Sequence, residues 1–442
     1  MPKSKPKAEQ PTQDFDVLIA GGGLVGASLA LALRGSGLAV GVVEPVPAEA
    51  SQQPSFDERQ TALAPTSRRF FERLGVWAVI ESGATPIRQI HVSDRGHGGF
   101  TRLSAEEEGL PALGHVAPNR VLGDALRPPL TEAATFFCPA EILDTHVLMD
   151  GAADDVQPIG RKVRIRSEAG ESTLNTRLLV VADGMHSVTR EALGVGTRTR
   201  EYDQSAIIAN LRTERSHGGV AYERFTPDGP LALLPSRDDA VSLVWTLPHD
   251  LAETAAQDWD DATFLAELQA AFGWRLGRLE SVGARSVYPL AAVTAEAFAT
   301  DRAVILGNAA HALHPVAGQG LNLALRDVAA LAEALGAVSV DPTVTAPPSA
   351  IDPGDPEVLN GYAKARQSDY RRTLTFTDGL VRLFSNELLP LVAARNVGLT
   401  ALDLFPPARR FLLKQATGAA GNVPTLCQPY SPATERQENP HE

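Results

Sequence analysis

One short stretch, Gly21-Gly22-Gly23-Leu24-Val25-Gly26, constrains this chain more than any other. It fits G-x-G-x-x-G and sits between a strand and a helix. Phe15–Ala20 is short, apolar and β-prone, as expected of a buried parallel strand. Leu24 to Arg34 carries Ala and Leu on most faces, which predicts a helix packed on a sheet. Gly35-Ser36-Gly37 ends it, and Leu38–Val43 reads as a second buried strand. In such a βαβ unit Gly21 permits the tight turn. Gly23 lets a pyrophosphate approach the helix N-terminus, and Gly26 lets helix and strand pack closely. Glu44 closes the second strand, where a carboxylate would accept hydrogen bonds from a ribose diol and repel a 2′-phosphate. A glycine turn without ligand is the competing explanation, and the joint presence of strand, helix and Glu44 weighs against it. The motif alone does not separate FAD from NAD.

The rest of the chain supplies a second sheet and more helices. Arg88–Ser93, Lys162–Ser167, Leu178–Val181, Ala206–Leu211, Leu231–Leu234 and Ala240–Trp245 read as strands, and Asp258–Phe272 as a helix. Ala303–Gly307 is another apolar strand, followed by a small-residue helix over Leu321–Leu335. Gly336 to Asp355, rich in Pro, Thr, Val and Ser, reads as an exposed loop, and helical periodicity returns from Glu357 to about Thr417. The net charge of −13 argues against a nucleic-acid partner. Cys138 and Cys427, far apart, form neither a disulfide framework nor a zinc pattern, which suits a reducing cytoplasm. The polar N-terminal stretch has no signal-peptide core, and no apolar run is long enough to predict a membrane span.

Two further motifs narrow the cofactor. In Leu178–Arg190 a buried strand runs into Asp183-Gly184 and then a helix capped by Ser187; Asp183 can hold neighbouring backbone donors. Seen alone this could be an ordinary strand-turn-helix corner. In Ala303–Asn322, Gly307-Asn308 ends a strand with a hydrogen-bonding side chain suited to a ribityl chain. His314-Pro315 fixes an extended turn. Gly318-Gln319-Gly320-Leu321-Asn322 then offers bare backbone N–H groups at a helix start. Such a terminus stabilises the negative charge of a reduced flavin ring.

These three motifs in this order resemble the FAD monooxygenases of the para-hydroxybenzoate hydroxylase fold, over about residues 14 to 420. Within that group the chain is most similar to the ubiquinone-biosynthesis hydroxylases. The similarity lies in Asp57-Glu58-Arg59-Gln60-Thr61-Ala62-Leu63, Leu74-Gly75-Val76-Trp77, Gly307-Asn308-Ala309-Ala310 through Asn322-Leu323-Ala324-Leu325-Arg326-Asp327, Arg395-Asn396-Val397-Gly398-Leu399 and Leu404 to Arg409. The Asn308 form with Arg326-Asp327 is most similar to the 2-polyprenyl-6-methoxyphenol hydroxylases. Asn308 stands where most of the wider group has Asp, and Pro118 where an acidic residue is common.

The resemblance implies an α/β fold: a Rossmann-like FAD-binding domain, an interleaved mixed β-sheet substrate domain and C-terminal helices. The expected division is a disordered tail at 1–13, an FAD-binding domain at 14–85, 110–194 and 286–336, and a substrate domain at 86–109 and 195–285. A loop at 337–356, C-terminal helices at 357–420 and a tail at 421–442 complete it. The ADP half of FAD falls to Gly21, Gly23, Gly26 and Glu44, and the flavin or pyrophosphate to Arg59 and Arg120. Asp183 and Asn308 would hold the FAD chain, and Gly318, Gly320, Leu321 and Asn322 the isoalloxazine edge, with His314 and Pro315 at the reacting face. Arg59 could instead be a surface ion pair, and Arg120 a residue without a cofactor contact.

The implied chemistry is NADH or NADPH reducing FAD, O2 adding to give a flavin C4a-hydroperoxide, and oxygen transfer to a prenylated phenol in ubiquinone biosynthesis. The nicotinamide donor would bind transiently, since only one Rossmann fingerprint is present. Hydroxylation of another aromatic, such as a polyketide or antibiotic, stays open, as does a low-turnover flavin- or lipid-binding subunit of a biosynthetic complex. The four tryptophans include no Trp-x-Trp pattern, which disfavours a halogenase. Tyr222, Arg224 and Tyr288 fall in the substrate region, each readily explained as a packed or surface residue. His311 and His314 lack a third ligand at metal-binding spacing. Apolar helices over 374–416 suit either core packing or peripheral contact with the inner membrane. Oligomeric state is not readable.

Overall fold

The computed structural model describes residues 13–47, 57–151, 156–313, 318–337, 351–384, 395–396, 398, 401–402 and 405–429. His314 and Pro315 therefore lie outside the described residues.

The first sheet is built around Gln13–Ala20, which pairs in parallel with Val40–Val43 on one side and Gly170–Val181 on the other. Thr135–Phe137 extends it beyond Val40–Val43, and Ala303–Ile305 beyond Gly170–Val181. Both faces are covered. Val17, Ile19, Val42, Leu178 and Val180 pack against the helices Leu24–Ala32 and Gln319–Ala334. Leu18, Val43, Leu179, Val181 and Ile305 pack on the other side with Val163 and Ile165. Two-sided burial is why these strands read as unbroken apolar runs.

The second sheet has nine strands and draws on separated stretches of chain: Gln89–Asp94 and Phe100–Ser104, then Thr197–Thr213 onward. The helix Asp261–Phe272 seals one of its faces. One boundary differs from expectation. Ser286–Ala295, assigned from sequence to the cofactor unit, pairs antiparallel with Thr197–Thr213, and His311–Ala312 pairs with it in turn. Pro289 and the run of small residues hide the alternation that would have marked this strand. A three-stranded sheet of Gln60–Leu63, Gly114–Pro118 and Thr85–Ile87 lies beside these two.

The helix Gln319–Ala334 is tied to the long helix Pro356–Phe384 by buried charges. Asp327 accepts from Arg366 Nε at 2.6 Å and meets His311 Nε2 at 2.5 Å. Asp369 accepts from Arg326 Nε at 2.9 Å, Arg366 Nη2 at 2.8 Å and Arg372 Nη2 at 2.8 Å. Burial would raise both carboxylic acids, but their partners win: His311 and Arg366 hold Asp327 below its usual value, and Arg326 and Arg366 hold Asp369 well below it. Asp327→Ala leaves Arg366 with Asp369 alone and removes the partner of His311, so it is expected to cost about 3–5 kcal/mol in urea unfolding at pH 7. Because both native pKa values are depressed, their contribution is present above the unfolded value near about 4 and is lost as the pH falls towards the native ones. Asp369→Asn should flatten that acid limb, measured as unfolding free energy between pH 3 and 7.

Candidate active site

The glycine turn is fixed by contact. Gly21 has φ of 97°, and a Cβ on it would lie 2.6 Å from the Ala182 carbonyl oxygen; one on Gly26 would lie 1.9 Å from the Gly21 carbonyl oxygen. Gly23 occupies the N-cap with no side-chain cap, so the first amides of the Leu24–Ala32 helix have no capping side chain. Glu44, 9% exposed, braces this turn: its carboxylate accepts from Gly22 N at 2.6 Å and Val46 N at 2.9 Å.

Asp183 ends the neighbouring strand. Its Oδ2 accepts from Thr189 N at 3.1 Å, and Ser187 Oγ caps the same short helix by accepting from Arg190 N at 2.9 Å. Asp183 Oδ1 is buried and has no hydrogen-bond partner among the described residues. A buried acceptor left open is costly unless a donor reaches it, and a hydroxylated cofactor chain provides one. Gly307 is in the left-handed region at φ 60°, 3.1 Å (as a Cβ) from Val25 of the glycine-turn helix, and it presents Asn308 at the surface. Its N–H points to Asp327 Oδ2 at 3.3 Å.

The other end of the crevice forms where the strand Gln60–Leu63 meets the Gln319–Ala334 helix. Gly318 begins that helix in the left-handed conformation, without a side-chain cap, and a Cβ on it would lie 3.2 Å from Ala62 Cβ. Gly320 and Leu321 fall in the first turn. The Asn322 side chain is fully engaged. Its Nδ2 donates to the Ala62 and Gly318 carbonyls at 2.8 and 2.7 Å, and its Oδ1 accepts from Ala64 N and Ser67 Oγ at 2.8 and 2.7 Å. It pins strand to helix, leaving the helix amides to face a ligand.

The two arginines differ. Arg59 pairs with Asp57 at 2.5 Å, its guanidinium 5.4 Å from the Tyr288 ring centre. Arg120 is half exposed and pairs with Glu58 at 2.6 Å and Asp124 at 3.3 Å, partners that raise its pKa. Arg190, quoted in the sequence motif without a role, is buried. Its Nη1 donates to the Met185 and Ala309 carbonyls at 3.2 and 3.0 Å, joining the Asp183 turn to the Asn308 turn. Nothing in the sequence pointed to Arg366, because its partner Asp327 lies on another helix, 39 residues away along the chain.

Glycine turn, Asp183 and Asn308 stand at the carboxyl ends of the parallel strands, where α/β sheets bind nucleotides. The helices Leu24–Ala32 and Gln319–Ala334 pack against each other, and the Gly307 turn lies against Val25 of the first of them. The open Asp183 oxygen, the uncapped helix starts and the side-chain-free cradle fit FAD. Fold and site thus define a flavin-dependent oxidoreductase.

Comparison with known proteins agrees. The family model described as "FAD binding domain" matches residues 14–352. The chain is 38% identical over 405 residues to the ubiquinone hydroxylase UbiL of Rhodospirillum rubrum, covering 91% of this chain and 89% of that one. It is 33% identical over 417 residues to the 3-demethoxyubiquinol 3-hydroxylase of Escherichia coli, covering 92% and 99%. Among solved structures, p-nitrophenol 4-monooxygenase PnpA from Pseudomonas putida superposes with a TM-score of 0.70 at 19% identity, over 92% of this chain and 99% of that one, a likeness of fold. The protein belongs to the FAD-dependent monooxygenase family, and FAD is its cofactor.

Gly26→Ala forces a methyl group into a backbone oxygen, so the variant is expected to be purified without FAD, read as flavin absorbance per chain. Asp183→Ala removes one hydrogen bond to a carboxylate and should weaken FAD binding by about 1.5–3 kcal/mol in a titration of apoprotein.

Proposed function

We propose that the protein hydroxylates a prenylated phenol ring in ubiquinone biosynthesis, using NADH or NADPH and O2. The observation that carries this reading is near-full-length similarity, at 38% and 33% identity, to two proteins named for ubiquinone-pathway ring hydroxylation. The crevice geometry supports it. Bound there, FAD supplies reduction by the nicotinamide donor and activation of O2 for insertion of one oxygen atom into a ring.

The chain's own residues have separate tasks. Glu44 and the amides after Gly23 bind the adenine half, while Asp183 and Asn308 orient the linking chain. Gly318, Gly320 and Leu321 direct backbone N–H groups at charge on the ring, where a helix start is stabilising. The second sheet covers the site and excludes water, which protects against unproductive loss of activated oxygen. His314 and Pro315 would stand at the reacting face. The 2-polyprenyl-6-methoxyphenol class is the substrate proposed, on the strength of Asn308 with Arg326-Asp327.

A long apolar substrate fits attachment at a membrane surface. No described helix is long and apolar enough to cross a membrane. Phe405 and Phe411, 59% and 66% exposed at the helix Pro406–Ala416, are the groups proposed to rest on it.

The decisive assay follows NAD(P)H oxidation by the FAD-loaded protein with and without a short-chain prenylated phenol. Stimulation, with a product one oxygen atom heavier and that atom drawn from labelled O2, is the expected result. FAD-loaded protein that no phenol stimulates would overturn this reading.

A further inference from the structure

The two faces of the second sheet differ in character. Leu231, Leu233, Leu243 and Trp245 are buried against Phe264, Leu268 and Phe272 of the helix Asp261–Phe272. Tyr222 and Arg224 turn the same way: the Tyr222 ring meets Phe272 edge-on at 5.4 Å, and Arg224 Nε donates to the Ala271 carbonyl at 2.9 Å. Side chains alternate along a strand, so Glu223 projects from the opposite face. There the register sets Val92 and Ala232 beside it, then Val244 and Ile208 further across. All five keep partial exposure, forming an apolar strip with one carboxyl group in it.

This face looks toward the flavin end of the crevice. Ala221, two residues before Glu223, is buried in a cluster with Ile87, Val116 and Leu413, and Ala62 and Leu234 pack against that cluster. Ala62 is the residue that touches the Gly318 position and is held by Asn322. Across the same face, Tyr288 pairs with Ala206, next in line to Ile208, and lies under Arg59.

The charged groups on this side have partners of their own. Asp94 is closed by Arg395 Nε at 2.6 Å and His97 Nδ1 at 3.1 Å, and Arg59 is closed by Asp57. Among the described residues Glu223 makes no ion pair. Burial, with no cation to oppose it, pushes its carboxyl up to about 7. Partial access combined with strong desolvation is what a group lining a recess experiences, and a lone carboxyl there is unfavourable for folding unless it has a task.

We propose that Glu223 is the acid–base residue of the hydroxylation, taking the proton from the phenolic hydroxyl of a substrate ring held against this strip. The assignment rests on the phenol-hydroxylase reading above. The O–H bond breaks, its electron pair stays on oxygen, and the proton passes to a carboxylate oxygen. The phenolate enriches the ring carbons ortho and para to it in electron density, where the oxygen atom enters. As the product regains aromaticity the displaced ring proton leaves with the second atom of O2, which departs as water, and the carboxylic acid returns its own proton to the phenolate oxygen. A base that titrates near the working pH is the most effective one for this exchange.

The test measures kcat/KM for a short-chain prenylated phenol against pH, and phenolate absorbance when that phenol binds the oxidised, FAD-loaded protein. Wild type should show a rising limb with midpoint near 7 and a matching phenolate band. Glu223→Gln should lose both, with kcat/KM down roughly 10²–10⁴-fold, while still retaining FAD. Glu223→Asp should keep the limb at reduced rate, which a merely structural role does not predict. A Gln variant that retains FAD, the limb and the phenolate band overturns the assignment. A wild-type protein that holds FAD but ignores phenols overturns the functional reading, and the assignment with it.

Discussion

The approach of Gly26 to the Gly21 carbonyl is the contact on which the cofactor crevice depends. A side chain at Gly26 would push the Leu24–Ala32 helix off the strand Gln13–Ala20, and one at Gly21 would run into the Ala182 carbonyl. That displacement would move Val25 away from Gly307 and disturb the packing of the Gln319–Ala334 helix. Close packing of these two helices against each other is what a single cofactor reaching both starts would require. Glu44 and Asn322 act alike at the two ends: each spends side-chain hydrogen bonds on backbone groups to hold a loop in a ligand-ready shape.

The turns proposed to hold the cofactor were legible in the sequence, and the reason is locality. The glycine turn, the Asp183 turn and the Gly318 helix start are each encoded within a few consecutive residues, whose backbone requirements only certain residue types meet. The unbroken apolar runs likewise reported two-sided burial. What escaped was non-local. Ser286–Ala295 carries no clean alternation, and its place is set by pairing with a strand about ninety residues earlier in the chain. Arg190, Arg366 and Asp369 look like ordinary surface charges in sequence. Only the folded chain shows them buried and paired.

The charge network beneath the crevice has a structural logic of its own. A buried ion pair gains little over a well-packed apolar contact, but it accepts few alternative geometries. Asp327 reaches Arg366, His311 and the Gly307 amide together, so the long C-terminal helix is registered against the turn that carries Asn308. Arg190 ties that turn to the one carrying Asp183. The residues assigned to the cofactor are thus held from behind by groups with no direct share in binding it.

The second sheet takes the two strands at one end from residues 89–104 and the rest from 197 onward, while the first sheet uses 13–43, 135–181 and 299–305. The chain crosses from one layer to the other several times, so neither layer is an excisable module. Over evolutionary time, a lineage built on this scaffold is pressed to change its choice of substrate by editing individual side chains on the sheet face rather than by shuffling whole segments. The strip around Glu223 is then the place where such edits would accumulate.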